Sequence, residues 1–257
     1  TRIVLTSDGE ATGIALADKA LARAVGDKVT FTLRGTGNDD ATADFETLRL
    51  ALAGMELDYK GKLGQARVLG QLKAVLPDLS RLSGLARRPL GGRAQIVADL
   101  DATPKADKYA ATLDGKAERV ATGDAVVDRL LAGSLTLGGK VGALAGDYTF
   151  SGLKVAGQHA TFTADGPLGQ NASNLKLALA LPDLKRADPR LSGRADVDAE
   201  ITGPLKQLDA KARIALANAT ALARPIPRLA IDAVVKDLQG ALDSHITLSG
   251  EVDAKPA

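Results

Sequence analysis

The chain has 257 residues, 45% apolar and 25% charged, a balance that excludes a disordered segment. Its 33 basic and 31 acidic residues nearly cancel and the basic ones are spread along the chain, which argues against a nucleic-acid surface. The absence of cysteine excludes disulfide and thiol chemistry, and no apolar run is long enough to cross a bilayer as a helix.

In chain order, Ala17 to Val25 is Ala-rich, holds no β-branched residue before Val25 and stops at Gly26, which predicts a short helix with a glycine at its end. Val29 to Arg34 and Thr47 to Leu52 alternate apolar and polar residues, the period of a strand with one face buried. Between them, Gly35-Thr36-Gly37-Asn38 predicts a turn. Leu76-Pro77-Asp78-Leu79 predicts a single helical turn with Pro77 in its first position. Ala94 to Leu100 alternates less cleanly, and Asp124 to Ala132 predicts a second short helix before Gly133. Asp165-Gly166-Pro167 predicts another turn, and Leu175 to Leu181 carries Leu at every odd position. Pro182 should open a further helical turn, and Ala195 to Thr202 alternates without a break. Ala212 to Leu216, Leu229 to Lys236 and His245 to Val252 complete the series, for about 16 to 20 strands of ordinary length.

These elements recur. Leu76-Pro77-Asp78-Leu79 returns as Leu181-Pro182-Asp183-Leu184, and Leu63-Gly64-Gln65 as Leu168-Gly169-Gln170, both at an offset of 105 (181−76 and 168−63). Gly92-Arg93-Ala94 returns as Gly193-Arg194-Ala195 at 101, a length difference of four, and Asp18 and Asp124 lie 106 apart. The reading is a single repeat region over residues 1–257, about 2.5 units of ~100–106 residues. It reads as an interior piece of a longer protein.

An antiparallel-rich sheet with one apolar face cannot leave that face in water, because burying a Leu or Val contributes ~1.5–3 kcal/mol. Folding such a sheet on itself gives either a filled sandwich or an open trough, and periodicity does not separate the two. Aromatic residues are scarce, with four Phe, three Tyr and no Trp, an unusual composition for a closed core.

The order of these motifs resembles the repetitive region of the TamB and AsmA-like family of bacterial envelope proteins. The resemblance rests on the alternating strands, the short helix ending in Gly before Leu135-Thr136-Leu137, the Leu-Pro-Asp-Leu turn, and Gly-Arg-Ala leading into an Ala/Val strand. It spans essentially the whole chain, through motifs that are individually degenerate. It implies an elongated β-taco, mainly β: a long sheet curled into a U-shaped trough with an apolar interior and a few short helices. It implies a place in the periplasm of a Gram-negative bacterium, with the parent anchored in the inner membrane by a segment this sequence lacks. The implied function is carriage of phospholipid acyl chains between inner and outer membrane. Assistance to outer-membrane β-barrel assembly with a TamA-type barrel partner, through parts absent here, is the alternative, and a structural rod with a filled core is a third. The expected lining is Leu48, Leu50, Leu52, Ile96, Leu100, Leu175, Leu177, Leu179, Val197, Ile201, Ile214, Leu216 and Ile231. Arg49, Lys176, Asp196, Asp198 and Glu200 should face water. The short helices either narrow the trough through Leu21 and Val25, or Leu130 and Leu131, or connect strands on its outside.

No catalytic arrangement is evident, so no enzyme and no cofactor are expected. His159 and His245 are the only histidines and share no motif. Metal ligation lacks Cys and paired His. Asn38-Asp39-Asp40 with Asp44 and Glu46 faintly suggests calcium, but lacks the central Gly and terminal Glu of a calcium loop; an Asn/Asp turn accounts for it better. Gly35-Thr36-Gly37 has no third Gly or following helix to complete a dinucleotide site. Arg87-Arg88-Pro89 has the chemistry to touch lipid headgroups, though a solvated loop explains it more simply.

Overall fold

The alternating segments form strands, and the rest of the chain connects them. A computed structural model describes residues 2–39, 41–64, 66–221, 224–240 and 243–251; Asp40, Gln65 and Val252, singled out above, lie outside the described residues. The chain is mainly β, with fifteen strands and few helices among the described residues, and divides into two compact units.

The first unit holds β1 (Arg2–Thr12), β2 (Lys28–Asn38), β3 (Thr42–Leu52), β4 (Met55–Gly64), β5 (Val68–Leu76), β6 (Gly91–Thr103), β7 (Lys108–Ala121) and β8 (Ser134–Leu144). The second holds β9 (Asp147–Ala156), β10 (Thr161–Leu168), β11 (Asn174–Leu181), β12 (Leu191–Thr202), β13 (Asp209–Ala221), β14 (Arg224–Lys236) and β15 (Asp243–Glu251). Within each unit every strand pairs antiparallel with its sequence neighbours, giving an open meander. Such a meander is what a two-residue alternation broken by turn residues encodes.

Helices α1 (Lys19–Val25) and α2 (Ser83–Ala86) lie between β1 and β2 and between β5 and β6, so antiparallel pairing puts both at the same end of the first sheet. Helix α3 (Ala125–Leu130) belongs to the second unit, where Arg129 donates to the carbonyls of Arg186 (3.0 Å) and Ala187 (2.6 Å). Those carbonyls close the 3-10 turn Leu184–Arg186. Beside it, Asp188 accepts from Arg190, and that hydrogen bond holds its carboxyl down to about 2.

The two predicted helices, α1 and α3, are shorter than the sequence suggests. Asp18 stands outside α1, its Oδ1 accepting from Ala20 N (2.7 Å) and Leu21 N (2.9 Å), so the helix begins only at Lys19. Such a cap contributes ~1 kcal/mol. Pro77 and Pro182 do not occupy first helical positions. Asp78 and Asp183 intervene as N-caps, and the turns begin at Leu79 and Leu184.

The described residues hold fewer strands than the predicted 16 to 20 because the strands run longer, up to 14 residues in β7. Two predicted turns are parts of strands. Gly35-Thr36-Gly37-Asn38 ends β2 and Asp165-Gly166-Pro167 lies within β10. Each glycine sits at a β-bulge, with register shifts at Arg34/Gly35 and Ala164/Gly166. A Cβ on Gly35 would collide with the Asp44 carbonyl, and one on Gly166 with the Asn174 carbonyl. Glycine inside a strand thus marks a bulge and a close backbone approach rather than a reversal.

The elements repeat with the spacing of the motifs. β2 and β8 start 106 residues apart (134−28), β5 and β11 also 106 (174−68), and α1 and α3 106 (125−19). Leu79 and Leu184, which open the 3-10 turns, are 105 apart, whereas β6 and β12 start 100 apart (191−91). The shortening falls where the first copy carries the four residues of α2 and the second has none.

Candidate functional site

Register assigns every side chain to one of two faces, since directly paired residues project to the same side. In the first sheet Leu48 pairs with Leu33 and Tyr59, Leu50 with Phe31 and Leu57, and Leu52 with Val29 and Met55. Ile96 pairs with Ala74 and Gly115, and Leu100 with Gly70 and Ala111. In the second, Leu175 opposes Ile201, which opposes Ala210; Leu177 opposes Ala164 and Ala199; Leu179 opposes Phe162 and Val197. Val197 continues through Ile214 and Ile231 to Leu248, and Leu216 lies between Ala195 and Leu229. Leu48, Leu50, Leu52, Ile96 and Leu100 therefore share one face of the first sheet. Leu175, Leu177, Leu179, Val197, Ile201, Ile214, Leu216 and Ile231 share one face of the second. Neither set of rows includes an ionised side chain.

That face is only partly covered. Among these thirteen positions Leu175 alone is buried, the others being half-buried, and no large side chain among the described residues is sealed off completely. A filled sandwich core would bury most of them. Two rings in the first unit lie over glycines: Phe31 covers Gly9 on β1, and Tyr59 covers Gly70 on β5. Tyr59 is buried, its hydroxyl donates to the Lys62 carbonyl (3.0 Å), and burial pushes its phenol up. An aromatic ring over a strand glycine restores the contact a missing side chain forfeits.

Sequence reasoning missed what closes the end of the second face. Leu184, from the repeated Leu-Pro-Asp-Leu turn, is buried against Ala195 and Ala219, with Leu181, Leu191, Leu216 and Ile226 packed around them. The turn, not a helix, folds its leucine onto the apolar surface. The recurrence of that leucine in both copies was the available signal.

The opposite face is charged and paired across strands. Arg49 meets Asp58 (2.5 Å), a hydrogen bond that raises the Arg49 guanidinium above its usual value. Arg67 makes a two-pronged contact with Asp101 (3.1 and 3.0 Å), Lys28 meets Glu10 (2.9 Å), and Arg93 meets Glu118. Arg34 meets Asp8 (2.8 Å) and by that hydrogen bond lowers its carboxyl. In the second sheet Lys176 opposes Glu200, which opposes Lys211, while Asp198 opposes Arg213, which pairs with Asp232 (3.7 Å). Asp196 pairs with Arg194 (3.7 Å). A depression of about 510 Å³ lies on this face, lined by Asp165, Lys176, Asp198, Glu200, Lys211 and Arg213. Exposed pairs of this kind contribute ~0–1 kcal/mol each. They keep the face wet and oppose a one-residue slip, which would carry charged side chains onto the apolar face.

Comparison with family models, curated proteins and solved structures returns no match.

The residues weighed for other chemistry are engaged elsewhere or stand apart. His245 lies exposed on β15, 3.4 Å from Thr247 Oγ1, and His159 lies half-buried in the β9–β10 connection. Asn38 Nδ2 donates to Thr42 Oγ1 (3.1 Å) and Asp44 Oδ2 (3.2 Å), and Asp44 also meets Lys62 (3.6 Å), so this acidic stretch ties β2, β3 and β4 together. Gly35 to Gly37 is strand, and Arg87 to Pro89 is exposed. Among the described residues no helix is long and apolar enough to cross a membrane.

Proposed function

We propose that the chain is a non-enzymatic scaffold of the bacterial envelope whose apolar sheet face carries phospholipid acyl chains between membranes. The observation that supports this is a broad aliphatic face, free of charge along its rows, that stays half-exposed where a closed core would be buried. Each methylene an acyl chain lays on such a face contributes ~0.8 kcal/mol. Aliphatic rows offer no fixed polar contact to hold a chain in place, so neighbouring positions are nearly equal in energy and sliding is easy. The curl that the TamB and AsmA-like resemblance implies would wrap this face around the chain as a trough. On the same reading the setting is the periplasm.

A second reading, a scaffold for barrel assembly with a TamA-type partner, is favoured by one feature. On β15, which among the described residues pairs with β14 alone, Ile246 and Leu248 are largely exposed. An incoming strand that covers these two side chains would bury apolar area as it adds to the sheet.

A photo-activated side chain at Leu179 or Val197 should crosslink to phospholipid in membranes, and one at Lys176 or Asp198 should not. Equal labelling from both faces, or none from the apolar one, would exclude carriage on this surface.

A further inference from the structure

The four residues that distinguish the first repeat change the chemistry of one end of its sheet. Helix α2 turns Leu85 into solvent and leads into the exposed run Ala86-Arg87-Arg88-Pro89. Ser83 Oγ accepts from Leu90 N (2.9 Å), which closes this segment into a projecting loop. Ala20 of α1 lies against Gly84, where any added side chain would collide, so α1 sits beside the loop and adds exposed Leu21 and Arg23. Among the described residues the guanidinium groups of Arg23, Arg87 and Arg88 form no ion pair within 4.0 Å.

Residues 16–27 and 78–90 together hold five basic groups (Lys19, Arg23, Arg81, Arg87, Arg88) against three acidic ones (Asp18, Asp27, Asp78). Asp18 caps α1, and Asp78 caps the turn at Leu79 and interacts electrostatically with Arg81 and Arg23, which leaves Arg87 and Arg88 as the uncompensated pair. The corresponding stretches of the second repeat, 124–132 and 183–191, hold four basic and four acidic groups. There Arg129 is spent on carbonyls, Arg190 is clasped by Asp188 (2.6 Å) and Arg186 lies 3.9 Å from Asp183. The same place in the repeat is self-neutralised in one copy and left cationic in the other.

We propose that the α1–α2 end of the first unit docks on the surface of an anionic phospholipid bilayer. Leu21 and Leu85 enter the interface while Arg23, Arg87 and Arg88 meet lipid phosphates. Exposed arginines interleaved with exposed leucines match the layering of a bilayer interface, apolar beneath phosphate. An acidic protein would satisfy the arginines and leave the leucines in water. This goes beyond carriage of acyl chains and does not require it.

The chain has no Trp, so Leu85→Trp supplies a clean fluorescent reporter. Its emission should shift to the blue with vesicles of phosphatidylcholine containing phosphatidylglycerol, and not with phosphatidylcholine alone. Adding Arg87→Gln and Arg88→Gln should weaken that response roughly thirty-fold, about five-fold for each charge near the surface. No shift with phosphatidylglycerol, or a shift that the two glutamines leave unchanged, overturns the proposal. An equal shift with polyglutamate overturns it too, assigning the surface to acidic protein. Leu21→Trp repeats the measurement from the neighbouring helix should Leu85→Trp perturb the loop. Phospholipid retained by the purified chain is measured separately, so failure of docking and failure of acyl-chain carriage are told apart.

Discussion

Gly166→Val is expected to destabilise the second unit by about 3–5 kcal/mol, the range of severe backbone and packing defects. The residue has φ +117°, and a Cβ there would run into the Asn174 carbonyl across the β10–β11 pair. Neither strand can give way without breaking the pairing that sets Leu177 opposite Ala164. Gly152→Ala provides the control. That glycine also has positive φ (+56°), but nothing lies within 4 Å of its missing Cβ. Only the backbone preference is lost, about 1–2 kcal/mol. Urea unfolding followed by circular dichroism measures both. Equal losses would show that crowding at the bulge does not matter, and the account of Gly166 as the pivot of β10 would fail.

Leu177→Asp combined with Ile201→Asp is expected to abolish acyl-chain crosslinking from Val197 and Ile214 while lowering stability by only about 1–2 kcal/mol per site. Both positions lie on the aliphatic face, and a carboxylate there sets an unpaired charge against any bound chain, which excludes it. The modest stability loss follows from exposure. Leu177 and Ile201 are half-buried, so an aspartate at either position reaches water in the absence of lipid. In a filled core the same substitutions would each remove a packed side chain and strand a charge, costing about 4–5 kcal/mol or more. A large loss of stability, or crosslinking that persists, would therefore reject an open lipid-bearing face.

Strand positions and faces were legible because side chains alternate with a fixed period. Every Leu in 175–181 and every apolar residue in 195–202 lands on one side once pairing is set. Helix ends were less legible, because Asp18, Asp78 and Asp183 act as caps outside the helical turns rather than as members of them. The two glycine-rich stretches misled for a related reason. Gly35 and Gly166 look like turn residues, yet the contact that requires them is with a carbonyl on the neighbouring strand, which local sequence does not reveal. Burial was not legible at all. Alternation says which side chains share a face but not what covers it, and only the structure brings Leu184 onto Ala195 and Ala219. The four-residue length difference was visible in the sequence as an offset. Its meaning, a short helix held against α1 through Ala20 and Gly84, was not.

Native mass spectrometry of the purified chain tests the central claim most directly. An open aliphatic face that carries acyl chains predicts phospholipid adducts on the folded protein, absent from the Leu177→Asp, Ile201→Asp variant. A folded chain that retains no phospholipid, and takes up none from phospholipid vesicles, would contradict it.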